Sequence, residues 1–227
     1  MGIAWTGDGD CLQFRDSARD GGKAMSSGRP IVYVLDDDSR IREALSGLLS
    51  SVGHSVMTFR NAAEYLAFER PDVSACLILD LDLPGMNGLE LQKELADAGG
   101  PPIIFLTGHG DIPSTVKAMK AGAAEFLSKP FEEEDLLRAI DAAIRVDGEA
   151  RLKHAELSTI KKRYASLTPR EREVLPFVVS GFLNKQTAGE LGTSEITIRI
   201  HRGQIMKKMA AQSLADLVRI AAKLGIP

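Results

Sequence analysis

CLILDLDLPGMNG, the stretch from Cys76 to Gly88, decides the fold of this chain. Its first half is an apolar run that is too short for a helix and stops at a carboxylate, so we predict a buried strand ending at Asp80. In an open parallel sheet, ligands bind outside the carboxyl ends of the strands, which places Asp80 where chemistry can occur. The alternative is that Asp80 only begins a turn, because Asp, Pro and Gly are common turn residues. The ends of the other strands favour the first interpretation.

Apolar runs and helical patterns alternate over residues 31–145. The runs that predict strands are 31–35, 55–59, 75–79, 103–106 and 124–127. Helical patterns lie at 41–52, with Ser39 as the N-cap, and at 62–69, 88–97, 113–121 and 132–145. Five strands alternating with five helices predict an α/β domain, a doubly wound five-stranded parallel sheet, at residues 30–147.

The charge of the chain is divided unevenly along its length. The formal net charge of the 227 residues is -3, but residues 30–147 carry ten Lys and Arg against twenty Asp and Glu, whereas residues 148–227 carry fourteen against seven. An acidic module joined to a basic one predicts two different partners, with nucleic acid as the partner of the second.

Several classes of protein are disfavoured by the sequence. No apolar run is long enough to span a bilayer, and the N-terminus lacks the pattern of a secretion signal, so we expect a cytoplasmic protein without membrane contact. Cys11 and Cys76 form neither a disulfide framework nor a metal cluster. Residues 1–29 have no apolar periodicity and are expected to be a disordered leader, with Met25 as a second candidate start of translation.

Only helical patterns follow Gly148. Residues 148–166 are charged with sparse apolar positions, as in a linker helix. Thr168-Pro169-Arg170-Glu171 predicts an N-cap with Pro at the first helical position and an acid at the third. Further helices are predicted at 185–191, 194–209 and 213–224. We therefore predict a second, smaller, all-α domain at residues 167–227.

Polar residues follow four of the five predicted strands. Asp36 and Asp37 follow the first, Asp80 the third, Thr107 the fourth and Lys129 the fifth. Carboxylates gathered in one crevice repel each other unless a hard divalent cation compensates them, so we predict a Mg²⁺ site. Asp80 could then attack a phosphoryl group, while Lys129 and the Thr107 hydroxyl stabilise the phosphoryl oxygens.

Four motifs together resemble the receiver domain of two-component response regulators over residues 30–147. They are Asp36-Asp37-Asp38, Asp80 with the following LPGMNG, Thr107-Gly108-His109-Gly110 and Lys129-Pro130-Phe131. The resemblance implies a flavodoxin-like sheet in the order 2-1-3-4-5 and a phosphoryl group accepted on Asp80 from a sensor histidine kinase. It also implies a cis peptide bond before Pro130.

The same resemblance implies roles for individual residues. Mg²⁺ would be bound directly by Asp37 and Asp80, by Asp36 partly through water, and by the backbone carbonyl of Asp82. Thr107 would move toward the phosphoryl group and Phe126 would turn inward. Phe126 is equally well explained as an ordinary core residue on a strand.

An enzyme provides a competing interpretation. Asp80-Leu81-Asp82 followed by Thr107 and Lys129 is similar to the motifs of haloacid-dehalogenase-type phosphatases. Those enzymes carry the Asp-Xaa-Asp motif on their first strand, whereas Asp80 follows the third, and Asp36 and Asp37 would have no role. We therefore do not expect turnover of an external substrate.

Residues 184–209 have the proportions of a helix, a tight turn and a second helix, as in DNA-reading motifs. The second helix carries a predicted core stripe of Ile198, His201, Ile205 and Met209, with Arg199, Arg202, Gly203, Met206 and Lys207 on the other side. Spacing alone allows the charged side to be merely solvated, and His201 is expected to be a packed histidine rather than a ligand.

Two segments, LTPREREVL at 167–175 and TIRIHR at 197–202, resemble the LuxR-type helix-turn-helix domain. Residues 30–227 as a whole thus resemble a FixJ/NarL-type response regulator. The resemblance implies that Arg199, Ile200 and Gly203 face base edges, and we expect Arg199 to read guanine. The expected contacts to the DNA backbone are Thr193, Ser194, Thr197, Arg202 and Lys207.

Two positions depart from the family pattern. Thr187 stands where a branched apolar residue is usual, which should loosen the packing of the scaffold helix. Gly203 puts no side chain on the reading face and costs the helix about 1 kcal/mol relative to Ala. We still expect DNA binding with these two residues, but they bear on its affinity and specificity.

The sequence thus predicts a phosphorylation-switched transcription factor that pairs with a second copy and binds promoter DNA, with RNA polymerase as a further candidate partner. A phosphate sink or a protein-protein adaptor with a degenerate DNA-binding domain is the alternative.

Overall fold

The computed structural model describes residues 28–108 and 112–226. The proposed start at Met25, most of the leader, and His109 and Gly110 of the third motif lie outside these residues.

The N-terminal domain is an α/β sandwich around one sheet. Its strands are β1 (Ile31–Leu35), β2 (Ser55–Phe59), β3 (Ala75–Asp80), β4 (Ile103–Thr107) and β5 (Glu125–Ser128). All four pairings are parallel, and the order is β2-β1-β3-β4-β5, as predicted. Because the strand order reverses beside β1, the carboxyl ends of β1 and β3 flank the crevice of a doubly wound sheet.

The helices of this domain are α1 (Ser39–Ser51), α2 (Ala62–Ala67), α3 (Gly88–Asp97), α4 (Ile112–Lys120) and α5 (Glu133–Ala165). The N-cap predicted at Ser39 is wrong. Asp38 caps α1, because its carboxylate accepts the Arg40 N–H at 2.9 Å and Ser39 is already helical. Helix α2 ends earlier than predicted, since Phe68 adopts an extended backbone.

Side chains alternate between the two faces of the sheet and build two cores. One core gathers Tyr33, Leu77 and Phe105 against α2, α3 and α4. The other gathers Val32, Ile78 and their neighbours against α1 and α5. The central strands are buried on both sides, as expected for a parallel sheet covered by helices.

The separate helices predicted at 132–145 and 148–166 are one continuous helix, α5. Gly148, interpreted from sequence as the start of the linker, lies inside it. A Cβ at Gly148 would approach Ser74 Oγ to 3.2 Å, so glycine permits close packing of α5 against the segment before β3.

The C-terminal domain contains α6 (Pro169–Val179), α7 (Asn184–Glu190), α8 (Glu195–Met209) and α9 (Leu214–Lys223). The predicted Thr168 cap and its box with Glu171 are present. Ile160 near the end of α5 is buried in the core of this domain, and Arg163 Nη1 donates to the Met209 carbonyl at 3.4 Å. The linker is therefore part of the structure of both domains. Over residues 28–108 and 112–226, the helices lack the combination of length and apolar character that crossing a bilayer requires.

Candidate phosphoryl-acceptor pocket and candidate DNA-reading helix

The polar residues predicted at the strand ends converge on one edge of the sheet. Asp36 follows β1 and is only 3% exposed, Asp80 ends β3, Thr107 ends β4 and Lys129 follows β5. Parallel strands deliver their carboxyl ends to the same edge, so residues separated by up to 93 positions become neighbours.

The turn after β3 fixes the position of Asp80. Gly85 has φ +91°, a backbone conformation that favours glycine, and the chain returns so that Gly88 N donates to the Leu81 carbonyl at 2.9 Å. A Cβ on Gly88 would lie 2.8 Å from the Asp80 carbonyl oxygen. Glycine at 88 thus allows α3 to begin directly beside the acidic edge, with Asn87 as its cap.

Lys129 joins two of the carboxylates. Its Nζ lies 2.8 Å from Asp36 Oδ2 and 3.5 Å from Asp80 Oδ2. The other Asp36 oxygen accepts the Asp38 N–H at 2.9 Å. Asp80 Oδ1 is buried and has no hydrogen-bond partner among the described residues. An unsatisfied buried carboxylate oxygen is costly, which marks this atom as a position for a ligand.

The pocket is suited to a hard cation. Carboxylate oxygens of Asp36, Asp37 and Asp80 lie within 4.8 Å of one another. Burial raises the pKa of the Asp80 carboxyl, and the Asp36 charge adds to this effect while Lys129 opposes it. Oxygen donors with one partnerless oxygen fit Mg²⁺, which prefers carboxylates and water.

The other residues predicted for the pocket differ in how deeply they are buried. The Thr107 side chain is buried, and the Thr107 carbonyl accepts the Lys129 N–H at 2.7 Å. The Lys129–Pro130 bond is cis. The Phe126 ring is partly buried, with its centroid 6.0 Å from that of Phe105. The Asp82 side chain is exposed, so only its backbone remains a candidate for the pocket.

Helix α8 is the second helix of the predicted helix-turn-helix. Ser194 caps it by accepting the Thr197 N–H at 3.1 Å, and the two hydroxyls lie 2.8 Å apart. Thr193, in the turn, is half-buried, and its N–H donates to the Ala188 carbonyl at 3.0 Å. Ser194 and Thr197 thus lie at the N-terminus of α8, where helices bind phosphate groups.

The core stripe of α8 is largely as predicted. Ile198, Ile205 and Met209 are fully buried, and His201 is partly buried. Met206, predicted on the outer side, instead packs partly against the core, because the buried arc of the helix is wider than the stripe of three or four residues.

The residues expected to contact DNA divide into two groups. Arg199, Ile200, Gly203 and Lys207 are exposed. Arg202 is partly buried, and its Nη1 donates to the Phe182 carbonyl at 3.0 Å, which joins α8 to the loop before α7. Only the remaining N–H groups of Arg202 are therefore open to a phosphate.

The hydroxyl of Thr187 is hydrogen-bonded, although the residue is buried in the scaffold helix. It is completely buried, and its Oγ1 donates to the Leu183 carbonyl at 3.1 Å. The methyl group can then serve the apolar contact while the hydroxyl is satisfied within the helix.

Three ion pairs with a buried or partly buried member were not predicted from the sequence. Lys208 Nζ lies 2.7 Å from Glu171 Oε2 and joins α8 to α6. Asp147 on α5 accepts the Ala75 N–H at 2.9 Å and Arg151 Nε at 2.6 Å, and Arg151 Nη1 lies 2.5 Å from Asp72 Oδ1. The contacts Lys208–Glu171, Asp147–Ala75 and Arg151–Asp72 join residues that are 37 to 79 positions apart, so no local sequence pattern predicts them.

Comparison with known proteins gives two family matches. Residues 32–141 match the response regulator receiver domain, and residues 165–221 match the bacterial regulatory proteins of the luxR family.

Similar proteins cover both regions. Nodulation protein W of Bradyrhizobium diazoefficiens is 49% identical over 207 residues, 91% of each chain. Transcriptional regulatory protein FixJ of the same organism is 42% identical over 197 residues, 86% of this chain and 96% of FixJ. The solved structure of response regulator StyR superposes with a TM-score of 0.80 at 47% identity and covers 86% of this chain and all of that one.

Proposed function

Because the chain belongs to the FixJ-like two-component response regulators, in which a receiver domain is joined to a LuxR-type DNA-binding domain, we propose that Asp80 is its phosphoacceptor and that α8 reads promoter DNA once Asp80 is phosphorylated. The protein is a phosphorylation-dependent transcription regulator, with a histidine kinase and DNA as its implied partners. The residues that perform these steps are our proposal.

The partnerless oxygen of Asp80 is the observation that carries the proposal. Asp80 Oδ1 is buried beside Asp36, Asp37 and Lys129 without a hydrogen bond to any described residue. Asp37, Asp80 and the Asp82 carbonyl would hold Mg²⁺, with Asp36 acting partly through water. The ion supplies positive charge that compensates the carboxylates and the transferred phosphoryl group.

The remaining chemistry belongs to the side chains of the pocket. An Asp80 oxygen attacks phosphorus, and the bond from phosphorus to the histidine nitrogen of the kinase breaks, leaving its electron pair on that nitrogen. Lys129, already 3.5 Å from Asp80, pairs with a phosphoryl oxygen. The Thr107 hydroxyl donates to another as it turns toward the group. The acceptor is the protein itself, so no external substrate is turned over.

The output step follows from the second domain. Phe126 and Thr107 report the phosphoryl group to the surface of α4 and β5, where two copies pair. Pairing presents two α8 helices to two DNA half-sites. Arg199 and Ile200 reach base edges beside Gly203, while Ser194, Thr197, Lys207 and, in part, Arg202 and Thr193 hold the DNA backbone. RNA polymerase bound at the promoter, in the bacterial cytoplasm, is the further partner.

The test uses the full chain, Mg²⁺ and acetyl phosphate as a small phosphoryl donor. Binding to duplexes selected from a random library should strengthen on phosphorylation, should weaken as salt is raised, and should exceed binding to unselected duplexes. Binding that ignores both sequence and phosphorylation would contradict the proposal and favour the adaptor.

A further inference from the structure

Helix α8 presents two large apolar side chains to solvent. Ile196 is 63% exposed and Ile200, one turn further on, is 60% exposed. The same helix buries Ile198, Ile205 and Met209 completely. The two exposed isoleucines therefore lie outside the core of the domain.

Ile196 lies at the centre of the outward face. Successive residues of an α-helix are turned by about 100°, so residues 196, 200, 203 and 207 share the side opposite Ile198 and Ile205. Arg199 lies at the border of this side. The N-terminal half of this face is thus apolar, because it carries Ile196 and Ile200, and its C-terminal end carries the positive charge of Lys207.

Gly203 keeps this face flat. A Cβ at Gly203 would meet no heavy atom within 4 Å, so glycine is not required by packing inside the domain. The absence of a side chain lets the surface beside Ile200 come close to a flat partner.

The chemistry of this face fits the major groove at thymine. The domain that carries it is basic together with its linker, with fourteen Lys and Arg against seven Asp and Glu over residues 148–227. In helix-turn-helix proteins the N-terminal residues of the second helix contact base edges, and the apolar group that the major groove offers is the thymine 5-methyl. A protein partner seated on Ile196 and Ile200 would instead have to face the exposed cations of Arg199 and Lys207.

We propose that Ile196, together with Ile200, is a specificity-determining residue that selects thymine through its 5-methyl group. This inference rests on the proposed DNA-binding function and adds a residue and a base preference to it. Ile196 lies near the start of α8, so it contacts a base pair adjacent to the one that Ile200 contacts.

The experiment removes single methyl groups from the DNA. Full-length protein treated with acetyl phosphate first selects a consensus duplex from a random library, and each thymine is then replaced in turn by deoxyuridine, which lacks only the methyl. At one or two positions this replacement should weaken wild-type binding about three- to tenfold. Ile196→Ala should weaken binding to the thymine duplex by a similar factor and become insensitive to deoxyuridine at one of these positions.

Control variants separate the inference from other effects. Ile196→Val should keep part of the methyl sensitivity. Leu152→Ala, which shortens an apolar side chain 56% exposed on α5, should leave binding unchanged. The Ile196 side chain is exposed, so the variants should retain the wild-type thermal unfolding temperature.

The outcomes are distinct. Equal sensitivity of wild type and Ile196→Ala at every thymine, or no sensitivity in the wild type, would overturn the inference while sequence-specific binding persists. Failure to select any consensus would overturn the proposed function itself.

Discussion

The Asp147 carboxylate accepts a hydrogen bond from the Ala75 N–H at 2.9 Å, so helix α5 is joined to the first residue of the strand that ends at Asp80. Asp147 is only 7% exposed, and Arg151 compensates its charge from the next turn of α5. Arg151 in turn reaches Asp72 in the loop before β3. The linker half of α5 is thereby held to the receiver at the opposite end of β3 from the acidic pocket.

Removal of Arg151 should destabilise the receiver. Arg151→Met leaves Asp147 with its buried charge uncompensated, and we expect the free energy of unfolding to fall by about 1.5 to 3 kcal/mol. Chemical denaturation measures this change, and hydrogen exchange at Ala75 should accelerate. Arg145→Met is the matched control, since its pair with Glu149 is 3.9 Å long and exposed, and should change stability by less than about 0.5 kcal/mol. An Arg151→Met variant with the same free energy of unfolding as the wild type would contradict the structural role of this contact.

Asp80→Asn should abolish incorporation of the phosphoryl group from acetyl phosphate, because the amide cannot serve as the nucleophile. Mass spectrometry of the intact protein detects the added group. Asp82→Asn is the control, since its side chain is exposed and only its backbone is assigned to the pocket. Label retained by Asp80→Asn would place the acceptor elsewhere.

The Glu171–Lys208 pair should make the stability of the C-terminal domain depend on pH. Burial of Glu171 acts to raise its pKa, but hydrogen bonds from Lys208 and the Thr168 N–H outweigh it, and the folded pKa lies below the ordinary 4.5. A carboxyl group whose pKa is lower in the folded state contributes stability that is fully present above its unfolded-state pKa. This stability is lost as the pH falls through its folded-state pKa.

Unfolding measured from about pH 6 down to about pH 3 tests this sign. The stability difference between wild type and Lys208→Met should be largest near neutral pH and should shrink as Glu171 becomes protonated. Lys207→Met changes an exposed neighbour and should run parallel to wild type. A difference that grows toward low pH would refute the pairing.

Thr187→Val should change the stability of the C-terminal domain by less than about 1 kcal/mol. The hydroxyl is lost, but the Leu183 carbonyl keeps the hydrogen bond from the Thr187 N–H at 3.0 Å, and the side-chain volume is maintained. Thr187→Ala should cost more, because it leaves a cavity at a fully buried position. Thermal unfolding of both variants provides the comparison, and a loss for Val as large as that for Ala would show that the hydroxyl, rather than the side-chain volume, carries the contribution of Thr187.

Arg199 and Arg202 should differ in what they contribute to DNA binding. Arg199→Ala should cost about 1 to 3 kcal/mol on a selected site and relax specificity at one base pair. Arg202→Ala should weaken binding equally on selected and random duplexes, and should also lower stability through loss of its bond to the Phe182 carbonyl. Fluorescence anisotropy with both duplexes distinguishes them; equal loss on both duplexes for Arg199→Ala would reduce it to a phosphate contact.

Local patterns were sufficient for much of this structure. The alternation of short apolar runs with helical periodicities specified five strands and their parallel pairing, since the central strands are buried on both faces and each crossover is a helix. Asp36, Asp80, Thr107 and Lys129 were found because parallel strands must place their ends at one edge. The strand order 2-1-3-4-5 came from the resemblance of these motifs to a family and is confirmed by the structure.

What the sequence determined by itself was the set of elements and the gathering of acidic and basic side chains at one sheet edge, because periodicity and strand direction are local properties. Tertiary structure alone decided the continuity of α5 through Gly148, the pairs Asp147–Arg151 and Glu171–Lys208, and the partial use of Arg202 inside its domain. Three of these depend on which surfaces meet across long sequence separations, and the i,i+4 pair of Asp147 and Arg151 gains its importance only from burial against Ala75. Whether a charged side chain faces solvent or a neighbouring helix is settled by packing, which no local pattern records.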